Sequence, residues 1–163
     1  MNKTIFFIMG VSGTGKTTIG TLLASALGIP FFDGDDYHPK ENITKMAAGE
    51  PLNDDDRYGW LTALNSLAKK NKIEGAVIAC SSLKEKYRVQ LIEKINKETV
   101  FIYLEGSYDQ IKSRLDSREN HYMTSALLKS QFEALEPPKN AISISIMDEP
   151  KKILNIILNQ LKK

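Results

Sequence analysis

The sequence of 163 residues holds a single cysteine, Cys80, so no disulfide can form within the chain and a disulfide-stapled scaffold is excluded. Ten glycines and six prolines are too few for a collagen-like or low-complexity chain, and no internal repeat or shift in composition marks a linker. No apolar run approaches the roughly 20 residues that span a bilayer. An excess of charge of one sign is missing too, since 22 Lys and Arg stand against 20 Asp and Glu for a net +2. That balance gives no ground for nucleic acid or an anionic membrane as partner, although a local basic cluster can still hold a small anion. What remains is an ordinary globular composition, 42% apolar. The length supports one domain over residues 1–163 with a proper core and leaves no room for a second catalytic domain.

Near the start, Met1 to Lys16 has one lysine ahead of an apolar run, but the run is only Ile5 to Met9 and a glycine-rich turn follows it. It reads as a first strand rather than a secretory signal, and the expected location is the cytoplasm. Further strand-length apolar stretches lie at Ile29 to Phe32, Gly75 to Ala79, Thr99 to Leu104 and Ala141 to Met147. Segments with helical spacing separate them, which predicts an α/β fold of three layers, with helices on both faces of a five-stranded parallel sheet. The last stretch alternates, so it is expected near a sheet edge or with serines turned to a ligand. Helices are predicted over Lys16 to Leu27, with Ile19, Leu22, Leu23, Ala26 and Leu27 on one face and Gly28 as the stop. Another begins at Asp54 behind an Asn53 cap, with Trp60, Leu61, Leu64 and Leu67 as its stripe. The remainder are Lys84 to Ile95, Tyr108 to Asp116, Thr124 to Leu135 and Lys151 to Leu161, with Pro137 and Pro138 ending the penultimate one.

Between the first strand and first helix, Gly10-Val11-Ser12-Gly13-Thr14-Gly15-Lys16-Thr17 matches the pattern of a triphosphate-binding loop. Backbone N–H groups and the helix N-terminus are the phosphate donors in such a loop, and Lys16 reaches the β- and γ-phosphates. Thr17 offers a hydroxyl to Mg²⁺. With Thr18 next in the helix, Gly10 to Thr18 is the candidate ATP-binding set. No Asn-Lys-x-Asp segment follows a later strand as a guanine-reading GTPase has, and the chain is small for a motor. A small-molecule phosphotransferase is favoured over a nucleotide switch or sensor.

The second strand runs into Asp33-Gly34-Asp35-Asp36-Tyr37-His38, at the strand end that faces the ligand crevice in this fold. One carboxylate there can orient a water on Mg²⁺ while the other accepts the proton of an acceptor hydroxyl during in-line transfer; Asp33 is assigned to the metal and Asp35 to the hydroxyl. For an acceptor that carries a carboxylate, Arg57 and Arg88 are candidate bidentate clamps. The third strand delivers Ser81 or Ser82 as substrate or metal-water ligands and Lys84 as a holder of anionic groups, while Cys80 is a small buried residue rather than a nucleophile. Arg114 and Arg118, four apart, are expected to share a helix face and to neutralise the transferring phosphoryl group when a lid closes. His121 is expected to order that lid.

On these residues the chain resembles the small bacterial-type gluconokinases over essentially its whole length. The resemblance rests on Gly10 to Thr17 and Asp33-Gly34-Asp35, then on His38-Pro39, Asn42-Ile43, Lys45-Met46 and Gly49. Its most specific block is Pro51-Leu52-Asn53-Asp54-Asp55-Asp56-Arg57 with Trp60-Leu61. Cys80-Ser81, Leu83-Lys84, Tyr87-Arg88, Arg114 to Met123, Gln131-Phe132-Glu133 and Leu135-Glu136 complete it. The family implies a fold like that of shikimate and adenylate kinases, with an acceptor-binding helical segment at about residues 36–60 and a lid at about 114–130. It implies transfer of the ATP γ-phosphate to the 6-hydroxyl of D-gluconate, with Asp35 near that hydroxyl and Asp33 near the metal-linked site. His38, Arg57, Lys84 and Arg88 then surround the sugar acid, Arg114 and Arg118 meet ATP phosphates, and the enzyme is a cytoplasmic homodimer. A kinase for another hydroxy acid, such as a shikimate-like one, and a non-catalytic ATP sensor are the alternatives. The lid departs from the usual pattern with Asn120 where glycine precedes the histidine, a residue that tolerates left-handed geometry.

Overall fold

Five short strands find their order from which of them can be apolar on both faces. In the computed structural model, which describes residues 3–118 and 124–163, β1 is Ile5–Met9, and all five of its residues are buried. It is flanked by β3, Ala76–Ala79, and β4, Thr99–Glu105; β2, Phe31–Asp33, and β5, Ile142–Ser145, form the edges. The order β2-β3-β1-β4-β5 is parallel throughout, with Phe7 opposite both Ile78 and Phe101. Central strands are covered from both sides and carry no polar residue inward, whereas the alternating Ile-Ser-Ile-Ser of β5 buries Ile144 and exposes its serines at the edge. The Phe7 and Phe101 rings stack with centroids 5.3 Å apart, tying β1 to β4 across one face.

Seven α-helices occur among the described residues. Helix α1, Lys16–Leu27, ends at Gly28, whose φ of 67° lets its N–H turn back to the carbonyls of Ala24 and Ser25. Its buried face is Ile19, Gly20, Leu23 and Ala24; Ala26 and Leu27 lie outside it, because α1 rests flat on the sheet beside α7, Pro150–Leu161. Helix α3, Asp54–Lys70, starts in a capping box in which Asn53 accepts from the Asp56 N–H and Asp56 accepts from the Asn53 N–H. It buries Trp60, Leu61, Leu64, Asn65 and Ala68. Helix α4, Glu85–Leu91, stops short of the expected Ile95. The buried Asn65 amide donates to Leu91 O (2.7 Å) and Glu93 O (3.2 Å), capturing the carbonyls that another turn would need, and Lys94 follows with a φ of 66°.

Helix α2, Lys40–Ala47, was not expected from the periodicity, for it buries one residue only, Asn42. Helices α5, Tyr108–Asp116, and α6, Ser125–Ala134, follow β4 and pack together. Residues Asn120, His121 and Tyr122 lie outside the described residues, so the expectations for His121 and Asn120 do too. Every loop that follows a strand carboxyl end opens on the same rim of the sheet, where the chain order reverses around β1.

Candidate active site

At the end of β1 the chain turns sharply. Gly10 has φ 146° and a Cβ there would stand 2.8 Å from Leu104 O, so the turn admits no side chain. Gly15, φ 94°, is the N-cap of α1 and leaves the helix N-terminus open to the cleft. The loop holds its shape by itself: Thr14 Oγ1 donates to Val11 O (3.0 Å), and Lys16 Nζ donates to Gly10 O (3.0 Å) and Val11 O (2.9 Å). Burial pushes the Lys16 ammonium below the ordinary lysine range, against the pull of Asp35, Cys80 and Asp33. The cleft over this loop, about 210 Å³, is lined by Ser12, Gly13, Gly15 and Lys16 to Thr18 together with Asp33, Asp35 and Arg118. Gly10, Val11 and Thr14 form its frame.

Across the rim, β2 delivers Asp33 into direct contact with the loop, where Thr17 Oγ1 donates to Asp33 Oδ2 (3.3 Å). Asp33 Oδ1 accepts from the Asp35 N–H (3.0 Å), so one carboxylate orders both the helix start and the turn over Gly34–Tyr37. A hydroxyl beside a carboxylate is a hard-oxygen pair suited to a divalent cation whose other ligands are phosphate oxygens and water. Among the described residues no group of three or more His, Cys, Asp or Glu could hold a metal ion.

Gly34 explains why the two aspartates are separated by glycine. A Cβ there would lie 2.2 Å from Ala79 O, while its own carbonyl accepts from Trp60 Nε1 (2.7 Å). Beyond it, Asp35 and His38 turn into a second, narrower crevice that also carries Ser12, Lys16, Arg57 and Ser81. Although the Asp35 side chain is 68% exposed at the crevice mouth, the surrounding protein pushes its carboxyl above the ordinary carboxylate value. Lys16 opposes that push, and Asp33 and Asp36 add to it. The His38 ring stacks on Trp60 with centroids 4.0 Å apart, and burial together with the charge of Arg57 takes its pKa down to about 4.

The basic residues divide. Arg57 lines the crevice, donating to Leu52 O (2.8 Å) and Tyr87 Oη (3.0 Å), with its guanidinium over the Tyr87 ring. Lys84 pairs with Asp54 at 3.7 Å. Arg88, expected at the sugar acid, is drawn behind the wall. Its side chain is 6% exposed and donates to Ser82 O (2.7 Å), Glu136 O (2.9 Å) and Glu85 (3.2 Å), so both terminal nitrogens are engaged by the protein. Of the two serines, Ser81 lines the crevice; Ser82 is buried and donates to Cys80 O. Cys80 is buried as expected, its thiol pushed up to about 11. Arg114 and Arg118 do not share a helix face, because α5 ends at Asp116. Arg114 donates to Ile146 O (2.6 Å) while Arg118 borders the phosphate cleft.

Residues from α6 were missed. Leu127, Ser130 and Gln131 wall the acceptor crevice, and the Gln131 carboxamide meets the phosphate loop itself: Oε1 accepts from the Ser12 N–H (2.8 Å) and Nε2 donates to Ser12 Oγ (3.2 Å). The Gln131-Phe132-Glu133 block was in view, but no local spacing links a residue to a loop 119 positions away.

A phosphate loop at the centre of a parallel β2-β3-β1-β4-β5 sheet, opening on an acceptor crevice, defines a P-loop small-molecule kinase, and the family model of shikimate kinase matches residues 12–161. Within that class the chain is 51% identical to the thermosensitive gluconokinase of Escherichia coli K12 over 138 residues, 82% of this chain and 72% of that one. It is 41% identical to the thermoresistant gluconokinase of the same strain, over 97% of this chain and 91% of the relative. A gluconokinase crystal structure from Sinorhizobium meliloti 1021 superposes with a TM-score of 0.90 at 38% identity, covering 98% of this chain and 91% of that one. The chain belongs to the gluconokinase family.

Proposed function

We propose that this chain transfers the γ-phosphate of ATP, with Mg²⁺, to the 6-hydroxyl of D-gluconate, giving 6-phospho-D-gluconate and ADP. The observation that carries the proposal is that the phosphate cleft and the acceptor crevice share Ser12, Lys16 and Asp35. An ammonium and a carboxylate at the junction of two binding spaces suit in-line phosphoryl transfer, which needs positioning and charge stabilisation more than covalent chemistry. Asp35 orients the 6-hydroxyl and takes its proton. Lys16 leaves the Gly10 and Val11 carbonyls for the β- and γ-phosphates. Arg118 neutralises equatorial oxygens, and Arg114 joins it once its guanidinium leaves Ile146 O. Thr17 and Asp33 would hold Mg²⁺, which supplies charge neutralisation on the transferring phosphoryl group.

His38, Arg57 and Ser81 are assigned to gluconate, with Lys84 reaching its carboxylate from the Asp54 pair. Arg88 is assigned to the wall instead. We treat residues 1–163 as one domain with an acceptor segment at about 36–60 and a lid at about 114–130, and infer a cytoplasmic homodimer from the family resemblance. No helix among the described residues is long and apolar enough to cross a membrane.

The test is ATP- and Mg²⁺-dependent transfer to D-gluconate, shikimate, glycerate and related hydroxy acids, with product identification. Selective formation of 6-phosphogluconate is expected. Preferred transfer to another acid overturns the substrate, and tight ATP binding without transfer to any acceptor turns the protein into a nucleotide sensor.

A further inference from the structure

Helix α2 fully buries one residue only, and that residue is polar. Asn42 is 3% exposed. A buried carboxamide must match two N–H donors and one carbonyl to its surroundings. Asn42 Nδ2 donates to the backbone Asp56 O at 2.8 Å, which fixes the amide orientation, because a carbonyl oxygen accepts only from the nitrogen. The same Nδ2 lies 3.2 Å from His38 Nδ1. An amide NH₂ offers no acceptor, so Nδ1 must accept, and a neutral imidazole with Nδ1 as acceptor carries its proton on Nε2.

The ring cannot flip to escape this assignment without losing its partners. It is stacked on Trp60, itself held by the bond from Nε1 to Gly34 O. Nε2 thereby faces the crevice, 3.9 Å from Asp35 Oδ1. The charged groups around the ring are Asp35 and Arg57, with Lys16 across the crevice and the Lys45–Asp56 pair (2.7 Å) behind Asn42. Arg57 and burial both disfavour a second proton.

We propose that Asn42 is a positioning residue that acts through His38, locking the imidazole as a neutral Nε2–H donor beside Asp35, where it hydrogen-bonds an oxygen of the acceptor next to the hydroxyl that Asp35 takes. This rests on the gluconokinase reading for the identity of the acceptor, not for the tautomer. A site built to donate to a substrate oxygen rejects an analogue without it far more strongly than shape alone allows.

The first test reads the tautomer in the unaltered site, with one variant for assignment. The chain has two histidines, so long-range ¹H–¹⁵N spectra of ¹⁵N-histidine protein resolve His38 by its disappearance in His38→Gln. A pyridine-like Nδ1 and a pyrrole-like Nε2, unchanged between about pH 5.5 and 7.5, are expected. A proton on Nδ1, a mixture of tautomers or an imidazolium in that interval overturns the proposal. The second test is Asn42→Asp, whose carboxylate accepts where the amide donated. The His38 proton should move to Nδ1 or the ring become charged, and kcat/KM should fall about 10- to 100-fold, the cost that orienting partners usually carry.

In a His38→Gln background the donor is an amide with no tautomer to lock, so adding Asn42→Asp should cost less than about threefold further. Full additivity of the two losses would mean that Asn42 only supports the fold, and the proposal fails. If gluconate is not phosphorylated while the His38 spectrum is as expected, the functional reading fails and the Asn42–His38 arrangement stands.

Discussion

The phosphate cleft and the acceptor crevice meet at Lys16 and Asp35, yet they are made from different material. The cleft comes from one continuous stretch, residues 10–18, whose form is set by backbone: three glycines with positive φ, a helix N-terminus, and short bonds from Thr14 and Lys16 back to their own loop. The crevice is assembled from the ends of β2 and β3, from α2 and α3, and from α6, and its form is set by side chains that reach across gaps. Asn42 holds Asp56 O, Arg57 holds Leu52 O, Trp60 holds Gly34 O and Arg88 holds Ser82 O and Glu136 O. A backbone-built site is local and tolerant of what surrounds it; a side-chain-built site depends on residues that never touch the ligand. Substitutions should therefore separate the two.

Replacing Lys16 is the strongest cut on the cleft side. Lys16→Ala removes the one ammonium at the junction, and kcat should fall by about 10³-fold or more, as loss of a preorganised donor does. The fold should survive, since the two lost bonds run within the loop itself and tie no other element to it. A loss under about tenfold, read in single turnover, would mean that the phosphate charge is carried elsewhere.

On the crevice side Asp35→Asn should cost about 10²- to 10³-fold in kcat with little change in nucleotide affinity. The pH profile sharpens this. A base works deprotonated, and the crevice raises the Asp35 pKa above the ordinary carboxylate value, so wild-type kcat/KM should fall as pH drops while still above that value. The acid limb should vanish in Asp35→Asn. If it persists unchanged, another group is the base.

Gly34→Ala tests whether the crevice depends on packing behind it. The new Cβ would meet Ala79 O at 2.2 Å, backbone against backbone, so β2 must move off β3, at about 3 kcal/mol or more. Gly59→Ala, in α3 with open space around its Cβ, should instead stabilise by about 0.5–1 kcal/mol. Equal midpoints for the two variants in urea would refute the close contact at Gly34.

The same division explains what could be read from the chain. The central strands, α1, α3, α5 and the phosphate loop were legible because each is encoded in contiguous residues with a period or a motif. β5 betrayed its edge position by its alternation. Helix α2 was not legible, since one buried asparagine makes no period, and the early end of α4 depends on Asn65 reaching from another helix. That Asp33 and Asp35 face the cleft was legible from their strand end. Where Arg88 and Arg114 rest was not legible, because charge and spacing do not say whether a guanidinium meets a ligand or a carbonyl, and here both meet carbonyls. Gln131 was in view within its family block, but its contact with Ser12 was not legible, for that partner is set by tertiary packing alone.

Gln131 is also where the comparison can be pressed hardest for the smallest effect, because there the crevice wall touches the loop backbone. Its carboxamide oxygen takes the Ser12 N–H, a donor of the loop of the kind that points to phosphate. A nucleotide that uses this N–H must displace Gln131. A half-buried neutral hydrogen bond of this kind is worth about 1 kcal/mol, so Gln131→Leu should tighten ATP binding by roughly fivefold in the absence of acceptor. The expected titration shows a lower Kd for ATP, with stability in the absence of nucleotide lowered by about 1 kcal/mol. A weaker Kd would mean that Gln131 stays on Ser12 and braces the loop around bound phosphate, which would make the cleft depend on α6 as the crevice does and dissolve the contrast between them.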